Sequence, residues 1–202
     1  MNTSFPGLVL ASASAARLRL LRAAGVVFEC EPPNLDESEI KADMAATGAD
    51  ATELAGALAQ AKASLVASRR PGLAVIGADQ VLEYAGQCFD KPGNRDEARR
   101  HLRMLGGRTH RLVSGVCVVC DGNILWSHAE TARLTMRPFS EEFLETYLDT
   151  VEPGTWDSVG GYRLEGMGAQ LFERIDGDHF TIQGLPLLPL LRFLRRKGMI
   201  LD

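Results

Sequence analysis

The chain has 202 residues and a net charge of −4, with 46% hydrophobic and 24% charged residues. This composition is typical of an ordinary globular protein of one or at most two domains, and it excludes a disordered chain, a collagen and a coiled-coil rod. The acidic balance argues against a nucleic-acid polymer as partner, because duplex-binding domains usually carry a strong basic excess. A small phosphorylated ligand remains open, since it requires only a few cations placed locally.

The sequence also bears on location. No apolar stretch approaches the ~20 residues that a membrane span needs, and the N-terminal segment lacks the positive region and apolar length of a secretory signal. The four cysteines are expected to be reduced thiols in a reducing compartment. The Cys117-x-x-Cys120 spacing leaves a zinc or redox site as an alternative, although no second ligand pair accompanies it. We expect a cytoplasmic protein that contacts no membrane.

The first half of the chain alternates strand and helix patterns. The patterns predict, in chain order, a strand at 8–11, a helix at 15–24 capped by Ser12 or Ser14, a strand at 26–30, an acidic loop at 34–51, a helix at 52–68 and a buried strand at 73–76. The helix at 52–68 has the clearest apolar face, and Lys62 lies at the edge of that face. The buried strand ends in Gly77-Ala78-Asp79.

Strand pairs dominate the second half. The patterns predict a hairpin of strands 81–84 and 87–89 around Gly86, a helix from Asn94 to Gly106, a long antiparallel pair at 109–120 and 124–136, a helix at 140–150, a glycine-rich stretch, a strand at 169–175 and a helix at 184–197. The combination favours a single α/β domain over residues 1–202, with a mixed twisted sheet flanked by helices.

Two segments are candidate ligand-binding sites. Asp79 follows the buried strand, at the place where open α/β sheets bind ligands, although a turn-capping aspartate is an alternative. The segment from Ser12 through Ser14 to Arg17 forms a strand-to-helix turn. Phosphate is bound well by the free N–H groups of a helix N-terminus, and serine hydroxyls and a guanidinium add further hydrogen-bond donors. A plain serine cap with a solvated arginine is the alternative here.

Three further positions have both a functional and an ordinary interpretation. Lys62 is either a phosphate ligand or a lysine at the rim of the core, and Lys91 before Pro92 is either a ligand or a loop lysine. Asp36-Glu37 is either a metal-binding pair or an acidic loop. Carboxylates suit Mg²⁺, which commonly bridges them to substrate phosphates. Neither a Walker A motif nor a Gly-x-Gly-x-x-Gly turn is present, so a P-loop kinase and a Rossmann dehydrogenase are disfavoured.

The order and spacing of short motifs resemble the Maf family of nucleoside triphosphate pyrophosphatases, once called septum formation inhibitors, within the inosine-triphosphate-pyrophosphatase-like superfamily. The resemblance runs from about Leu8 to Lys197. The motifs are Leu10-Ala11-Ser12-Ala13-Ser14 through Arg17, Leu35-Asp36-Glu37, Ala61-Lys62-Ala63, Ile76-Gly77-Ala78-Asp79-Gln80, Lys91-Pro92, Ser114-Gly115, Glu165-Gly166-x-Gly168-Ala169 and Gly184-Leu185-Pro186-Leu187.

The resemblance implies a homodimer with two lobes around a cleft, which hydrolyses a nucleoside triphosphate to the monophosphate and pyrophosphate. It implies Asp79 as the proton acceptor, Lys62 and Lys91 as catalytic cations, and Ser12, Ser14 and Arg17 as phosphate ligands. Glu37 and Asp79 would hold a divalent metal, Mg²⁺ with Mn²⁺ or Co²⁺ as alternatives.

The resemblance also indicates which nucleobase the substrate carries. Gln80 and Glu165 side with the branch that prefers 7-methyl-GTP, which favours house-cleaning of modified nucleotides. Ala16 departs from both branches and cannot stack on a cationic base, which forfeits ~0.5–2 kcal/mol. Trp156 or Tyr162 is a candidate to stand in for the missing aromatic, or packs in the core.

Two alternatives of function remain. One is a pyrophosphatase directed at dTTP and UTP. The other is a non-catalytic nucleotide-binding regulator of cell division, which the old family name suggests. The two carboxylates and the lysines favour an enzyme, because a binder would have little need of a metal–carboxylate pair. Arg19 and Arg22 are expected to be surface charges, and the four histidines show no ligand spacing.

Overall fold

The computed structural model describes residues 7–201, without the side chains of Pro153 and Asp157. Its strands are β1 (Leu8–Ala11), β2 (Glu29–Cys30), β3 (Ala74–Tyr84), β4 (Gln87–Phe89), β5 (Thr109–Cys120), β6 (Asn123–Met136) and β7 (Phe172–Asp176). Its helices are α1 (Ala15–Ala23), α2 (Ser38–Ala46), α3 (Ala51–Ala67), α4 (Arg95–Leu105), α5 (Glu141–Thr150), α6 (His179–Ile182) and α7 (Leu187–Arg196). Short 3₁₀ turns cover Pro153–Asp157, Val159–Gly161 and Met167–Leu171.

The strands form one seven-stranded mixed sheet in the order β2-β1-β3-β5-β6-β7, with β4 paired to the end of β3. β1 runs parallel to β2 and β3, whereas the remaining pairs are antiparallel. The mixed α/β fold predicted from the sequence is therefore confirmed.

The buried apolar residues gather mainly around two parts of the long strands. One cluster packs Ile76 and Val118 against α1 and α7. The other packs Leu82 and Leu134 against α4 and α5. Because β3, β5 and β6 pass through both clusters, they join two lobes, and the concave region between the lobes is the cleft.

Helix α3 lies unusually close to the sheet. A Cβ atom on Gly77 would come within 2.1 Å of the Ala59 carbonyl oxygen, and one on Gly115 within 2.5 Å of the Ala55 carbonyl oxygen. Any side chain at these two positions would therefore push the helix away from β3 and β5. This close approach brings Lys62 of α3 over Asp79 of β3.

The expected break in the third strand is absent. The sequence predicts separate strands at 73–76 and 81–84 with Asp79 after the first, but β3 is continuous and Asp79 pairs with Gly115 in its middle. Gly77, Asp79 and Gln80 interrupt the apolar pattern without interrupting the strand, because Gly77 makes room for α3 and the side chains of Asp79 and Gln80 find hydrogen-bond partners. β1 ends at Ala11 opposite Gly77. Asp79 thus lies just past the end of a parallel neighbour, where a crevice opens.

The prediction of a loop over 34–51 is also wrong, because α2 occupies part of it. None of the residues of α2 is buried, so the helix has no apolar stripe by which a sequence pattern could indicate it. The expected second strand at 26–30 shrinks to β2.

Near the C-terminus, the strand expected at 169–175 begins only at Phe172, after a 3₁₀ turn. The helix expected at 184–197 begins at Leu187, and the four-residue helix α6 precedes it. Among the helices in residues 7–201, none is both long and apolar enough to cross a membrane.

Candidate active site

A cleft of about 1470 Å³ lies between the lobes. Asp36 and Trp156 do not line this cleft, and the exposed Asp36 carboxylate accepts a hydrogen bond from the Ser38 N–H at 2.9 Å. Ten other residues that the sequence singles out for a site do line it. They are Ser12, Ser14, Ala16, Arg17, Glu37, Lys62, Asp79, Gln80, Lys91 and Glu165. These side chains come from separate elements along the chain, so the fold gathers them, while their individual roles stay predictions.

The turn from β1 into α1 forms one wall. The Ser14 side chain caps the helix by accepting a hydrogen bond from the Arg17 backbone N–H at 3.5 Å. The Ser12 hydroxyl is buried and accepts from the Ser14 N–H at 3.1 Å. The Arg17 side chain donates from Nε to the Gly184 carbonyl oxygen at 2.8 Å. The guanidinium is thus held against the glycine that precedes α7, with its plane fixed.

Two carboxylates converge on one ammonium group. Lys62 Nζ lies 2.7 Å from Glu37 Oε1 and donates a short hydrogen bond to Asp79 Oδ1. Asp79 is buried, and the Lys62 side chain is only 12% exposed. Glu37 comes from the start of α2 and Asp79 from β3. The fold therefore places acidic groups from two distant segments within reach of a single cation.

Lys41 extends this cluster and was missed by sequence reasoning. Its Nζ lies 3.2 Å from Glu37 Oε2 and 2.8 Å from Asp90 Oδ1. Burial opposes ionisation of Glu37, but the hydrogen bonds and charges of Lys62 and Lys41 outweigh it and hold the pKa of Glu37 below its ordinary value. The signal was the i,i+4 spacing of Glu37 and Lys41, which has meaning only once α2 is known to be a helix.

Three cations of the cleft have no carboxylate partner among the described side chains, namely Arg17, Lys91 and Arg163, and the Arg163 side chain donates to the Gly154 carbonyl oxygen. The walls of the cleft lower the pKa of Lys91 by desolvation, and the positive charges of Arg17 and Lys62 lower it further. Burial also lowers the pKa of Arg17, against the opposing charges of Asp79 and Glu37. Unpaired positive charge in a concave site attracts an anion.

Gln80 has a fixed amide. Its Nε2 lies 3.0 Å from Ser114 Oγ, 3.0 Å from the Thr181 carbonyl oxygen and 3.1 Å from the Ile182 carbonyl oxygen. These acceptors orient the amide nitrogen inward, so the amide oxygen is the group left to accept a bond in the cleft.

Glu165 meets a partner that the sequence did not indicate. Arg19, expected to be a surface charge, places Nη2 2.5 Å from Glu165 Oε1 and 3.4 Å from Gln183 Oε1. Arg19 is exposed, as expected of a surface charge, but the glycine-rich segment folds back over α1 and gives it a carboxylate partner. These three residues also line a smaller cavity of about 490 Å³ beside the cleft.

The aromatic candidates belong mostly to the core. Tyr162 is buried, and its hydroxyl lies 2.6 Å from His110 Nε2. Burial lowers the pKa of His110 to about 4 and raises that of Tyr162 well above its ordinary value. Trp156 packs against the same cluster. His110, to which the sequence assigned no role, therefore anchors the segment that carries Glu165.

The donor set fits a divalent cation completed by substrate. Glu37 and Asp79 both contact the Lys62 ammonium, so that the two carboxylates lie close to each other. Mg²⁺ is commonly held by one or two carboxylates together with phosphate oxygens and water. In the part of the chain that the structure describes, no three His, Cys, Asp or Glu side chains are grouped to hold a metal. Cys117 is buried in β5 and Cys120 is three residues further along the strand, so the two thiols face opposite sides of the sheet.

The chain is similar to known proteins over almost its whole length. A family model described as "Maf-like protein" matches residues 7–197. A nucleoside triphosphate pyrophosphatase of Paramagnetospirillum magneticum is 49% identical over 190 residues, which cover 94% of this chain and 98% of the relative. A 7-methyl-GTP pyrophosphatase of Rhizobium etli is 47% identical over 195 residues, covering 96% and 98%.

A solved structure, that of a HAM1 protein from Coxiella burnetii, is similar at 16% identity, with a TM-score of 0.40, over 64% of this chain and 72% of that one. The family match spans nearly the whole length of the present chain and includes all the residues that line the cleft. The resemblance predicted from the motifs is confirmed, and the chain belongs to the Maf family.

Proposed function

We propose that this chain is a nucleoside triphosphate pyrophosphatase, a hydrolase that splits a nucleoside triphosphate into the monophosphate and pyrophosphate with the help of a divalent cation. The observation that carries the proposal is the convergence of Glu37 and Asp79 on Lys62, beside Arg17 and Lys91, which contact no carboxylate among the described side chains. Relatives at 49% and 47% identity carry the names of such enzymes over almost their full length.

The phosphate chain would lie against the cations. The helix N-terminus at Ser14 offers backbone N–H groups and partial positive charge. Arg17, fixed by the Gly184 carbonyl, offers its outer nitrogens, and Lys91, from the connection between β4 and α4, supplies a point charge. Positioning and electrostatics are expected to contribute most of the rate, as in phosphoryl transfer generally.

Asp79 is the group best placed to move a proton. Its carboxylate accepts a proton from a water molecule while the water oxygen forms a bond to the α-phosphorus. The bond from the α-phosphorus to the bridging oxygen breaks, and pyrophosphate leaves with that electron pair. Lys62 orients the Asp79 carboxylate through its hydrogen bond and links it to Glu37.

Glu37 and Asp79 are the residues that would hold the divalent cation. Mg²⁺, or Mn²⁺ or Co²⁺ in its place, would offset the charge that develops on the phosphate oxygens. The Lys62 ammonium, which lies between the same carboxylates, would supply a second positive charge there.

At the base end, Gln80 and Glu165 support a purine and, among modified nucleotides, 7-methyl-GTP. The amide oxygen of Gln80 and the carboxylate of Glu165 accept hydrogen bonds, which suits the N–H groups of guanine. Ala16 lines the cleft without offering a ring. We therefore place house-cleaning of modified guanine nucleotides ahead of action on dTTP and UTP.

The test is pyrophosphate release by the purified chain from a panel of normal and modified triphosphates, with and without added Mg²⁺. We expect metal-dependent release of one pyrophosphate per nucleotide hydrolysed. Release of inorganic phosphate instead, or no turnover of any triphosphate, would contradict the proposal, and tight binding without turnover would favour the non-catalytic regulator.

The homodimer implied by the resemblance and the cytoplasmic location expected from the sequence also remain proposals. The homodimer is tested by the mass of the purified chain in solution, and the cytoplasmic location by fractionation of cells. A membrane-bound pool or a nucleic-acid-bound pool would contradict the expectation that substrate is the main partner.

A further inference from the structure

Arg19 and Glu165 form an ion pair at the part of the cleft expected to meet the base. The two residues are 146 positions apart, and Nη2 and Oε1 lie 2.5 Å apart. The same guanidinium reaches Gln183, whose amide nitrogen lies 2.6 Å from His179 Nε2. α1, the glycine-rich segment and α6 are thus tied together at this point.

The ion pair borders a cavity that has apolar walls. The smaller cavity of about 490 Å³ shares Arg19 and Glu165 with the cleft, and Leu20, Ala23 and Phe180 supply apolar walls. Ligand pockets of this size range typically combine apolar walls with a few polar groups that fix orientation.

Pairing changes what Glu165 offers to a ligand. Its Oε1 is occupied by Arg19, whereas Oε2 accepts no hydrogen bond from a described residue. A neutral base can still donate an N–H to Oε2. A positively charged base gains little extra, because the nearby guanidinium cancels the field of the carboxylate. The pair is exposed, with side chains 57% and 41% accessible, so its own contribution to folding is small.

We infer that Arg19 is a specificity-determining residue, which by pairing with Glu165 removes the preference for a positively charged base. The substrate class is then triphosphates of uncharged purines such as guanine together with their N7-methylated forms, without strong discrimination between the two. This inference rests on the proposed function, since Arg19 would act on the base in the same cleft.

The experiment compares kcat/KM for 7-methyl-GTP and for GTP in four forms: the unaltered chain, Arg19→Gln, Glu165→Gln and the double variant. Because both values are measured on the same preparation of each variant, their ratio is insensitive to the fraction of folded enzyme. We expect Arg19→Gln to raise the ratio of 7-methyl-GTP to GTP about tenfold, equivalent to ~1.4 kcal/mol. In the Glu165→Gln background the same change should alter the ratio less than about twofold, since Arg19 acts through the carboxylate.

Arg22→Gln is the matched control, because Arg22 lies exposed on the same helix and lines neither cavity. Its ratio should equal that of the unaltered chain. An unchanged ratio in Arg19→Gln would overturn the inference, and so would an equal rise in the Glu165→Gln background, which would indicate direct repulsion of the base by Arg19. Absence of pyrophosphate release from both triphosphates would instead contradict the proposed function itself.

Discussion

Two regions of the molecule carry dense charge, the face between α4 and α5 and the cleft. On the first, three arginines of α4 face three acids of α5. They are Arg95, Arg99 and Arg103 with Glu141, Glu145 and Asp149. Each arginine has at least one carboxylate partner, for example Arg99 Nε at 2.6 Å from Glu145 Oε1.

The cleft differs in its balance. Lys62 and Lys41 share Glu37, whereas Arg17 and Lys91 meet no carboxylate among the described side chains. The cleft is also concave, so that desolvation lowers the pKa of Lys91, while the α4–α5 face is a convex helix surface. The contrast shows that a high density of charge does not by itself identify a binding site. A surplus of positive charge in a concave cleft does identify one.

The strongest way to test this contrast is Asp79→Asn. The amide keeps the size of the side chain but cannot accept the proton of water, so we expect kcat for pyrophosphate release to fall about 10³-fold, within the range for loss of a general base. Lys62 retains Glu37 as partner, so the fold should persist, as circular dichroism would show.

Asp149→Asn is the matched control on the other region, since it removes a carboxylate that pairs with Arg95. Its kcat should equal that of the unaltered chain. Equal kcat values in the two variants would remove Asp79 from its role.

The next effect concerns His110, which contacts Tyr162 in the glycine-rich segment that carries Glu165. Burial keeps the pKa of His110 at about 4 in the folded chain, below its ordinary value of 6.5. On acidification the unfolded chain therefore binds a proton first, and folding stability falls as the pH drops from about 6.5 towards 4. We expect a loss of ~2 kcal/mol between pH 7 and pH 5 from this residue.

Urea unfolding of the unaltered chain, His110→Gln and His128→Gln at both pH values measures the effect. Only His110→Gln should lose this part of the pH dependence, because His128 is half-exposed on β6. If all three forms lose stability in parallel on acidification, the buried histidine is not the cause.

Lys91 gives a smaller effect on activity. We expect Lys91→Gln to lower kcat/KM about tenfold, the size of one good charge-assisted contact. Because the pKa of Lys91 is lowered, kcat/KM of the unaltered chain should also decline with rising pH before an ordinary lysine would lose its proton. Lys91→Arg should remove that decline, since arginine stays protonated, and Lys197→Gln should behave like the unaltered chain. A decline that persists in Lys91→Arg would assign it to another group.

The sequence predicted much of this fold where the pattern was strong and local. The apolar face of α3 and the long β5–β6 pair are such cases. α2 could not be predicted because it has no buried face and therefore no apolar pattern. In β3, Gly77 and Asp79 indicate the end of a strand, and only the close packing of α3 explains why a glycine lies within it. Residues of the site were found through motifs, but no local pattern could pair Arg19 with Glu165.

The smallest effect is expected from Arg99→Gln in the balanced region. The Arg99 side chain is only 19% exposed, but its partners Asp96 and Glu145 are 84% and 40% exposed, and ion pairs to solvated carboxylates contribute little to stability. We expect a barely lower denaturation midpoint, a difference that ~1 M salt abolishes by screening, and unchanged pyrophosphate release. The opposite face of α4 places Ala98 against Gly161 in the segment that lines the cleft. Lower turnover in Arg99→Gln would therefore mean that the network positions this segment, and the two charged regions could no longer be treated as independent.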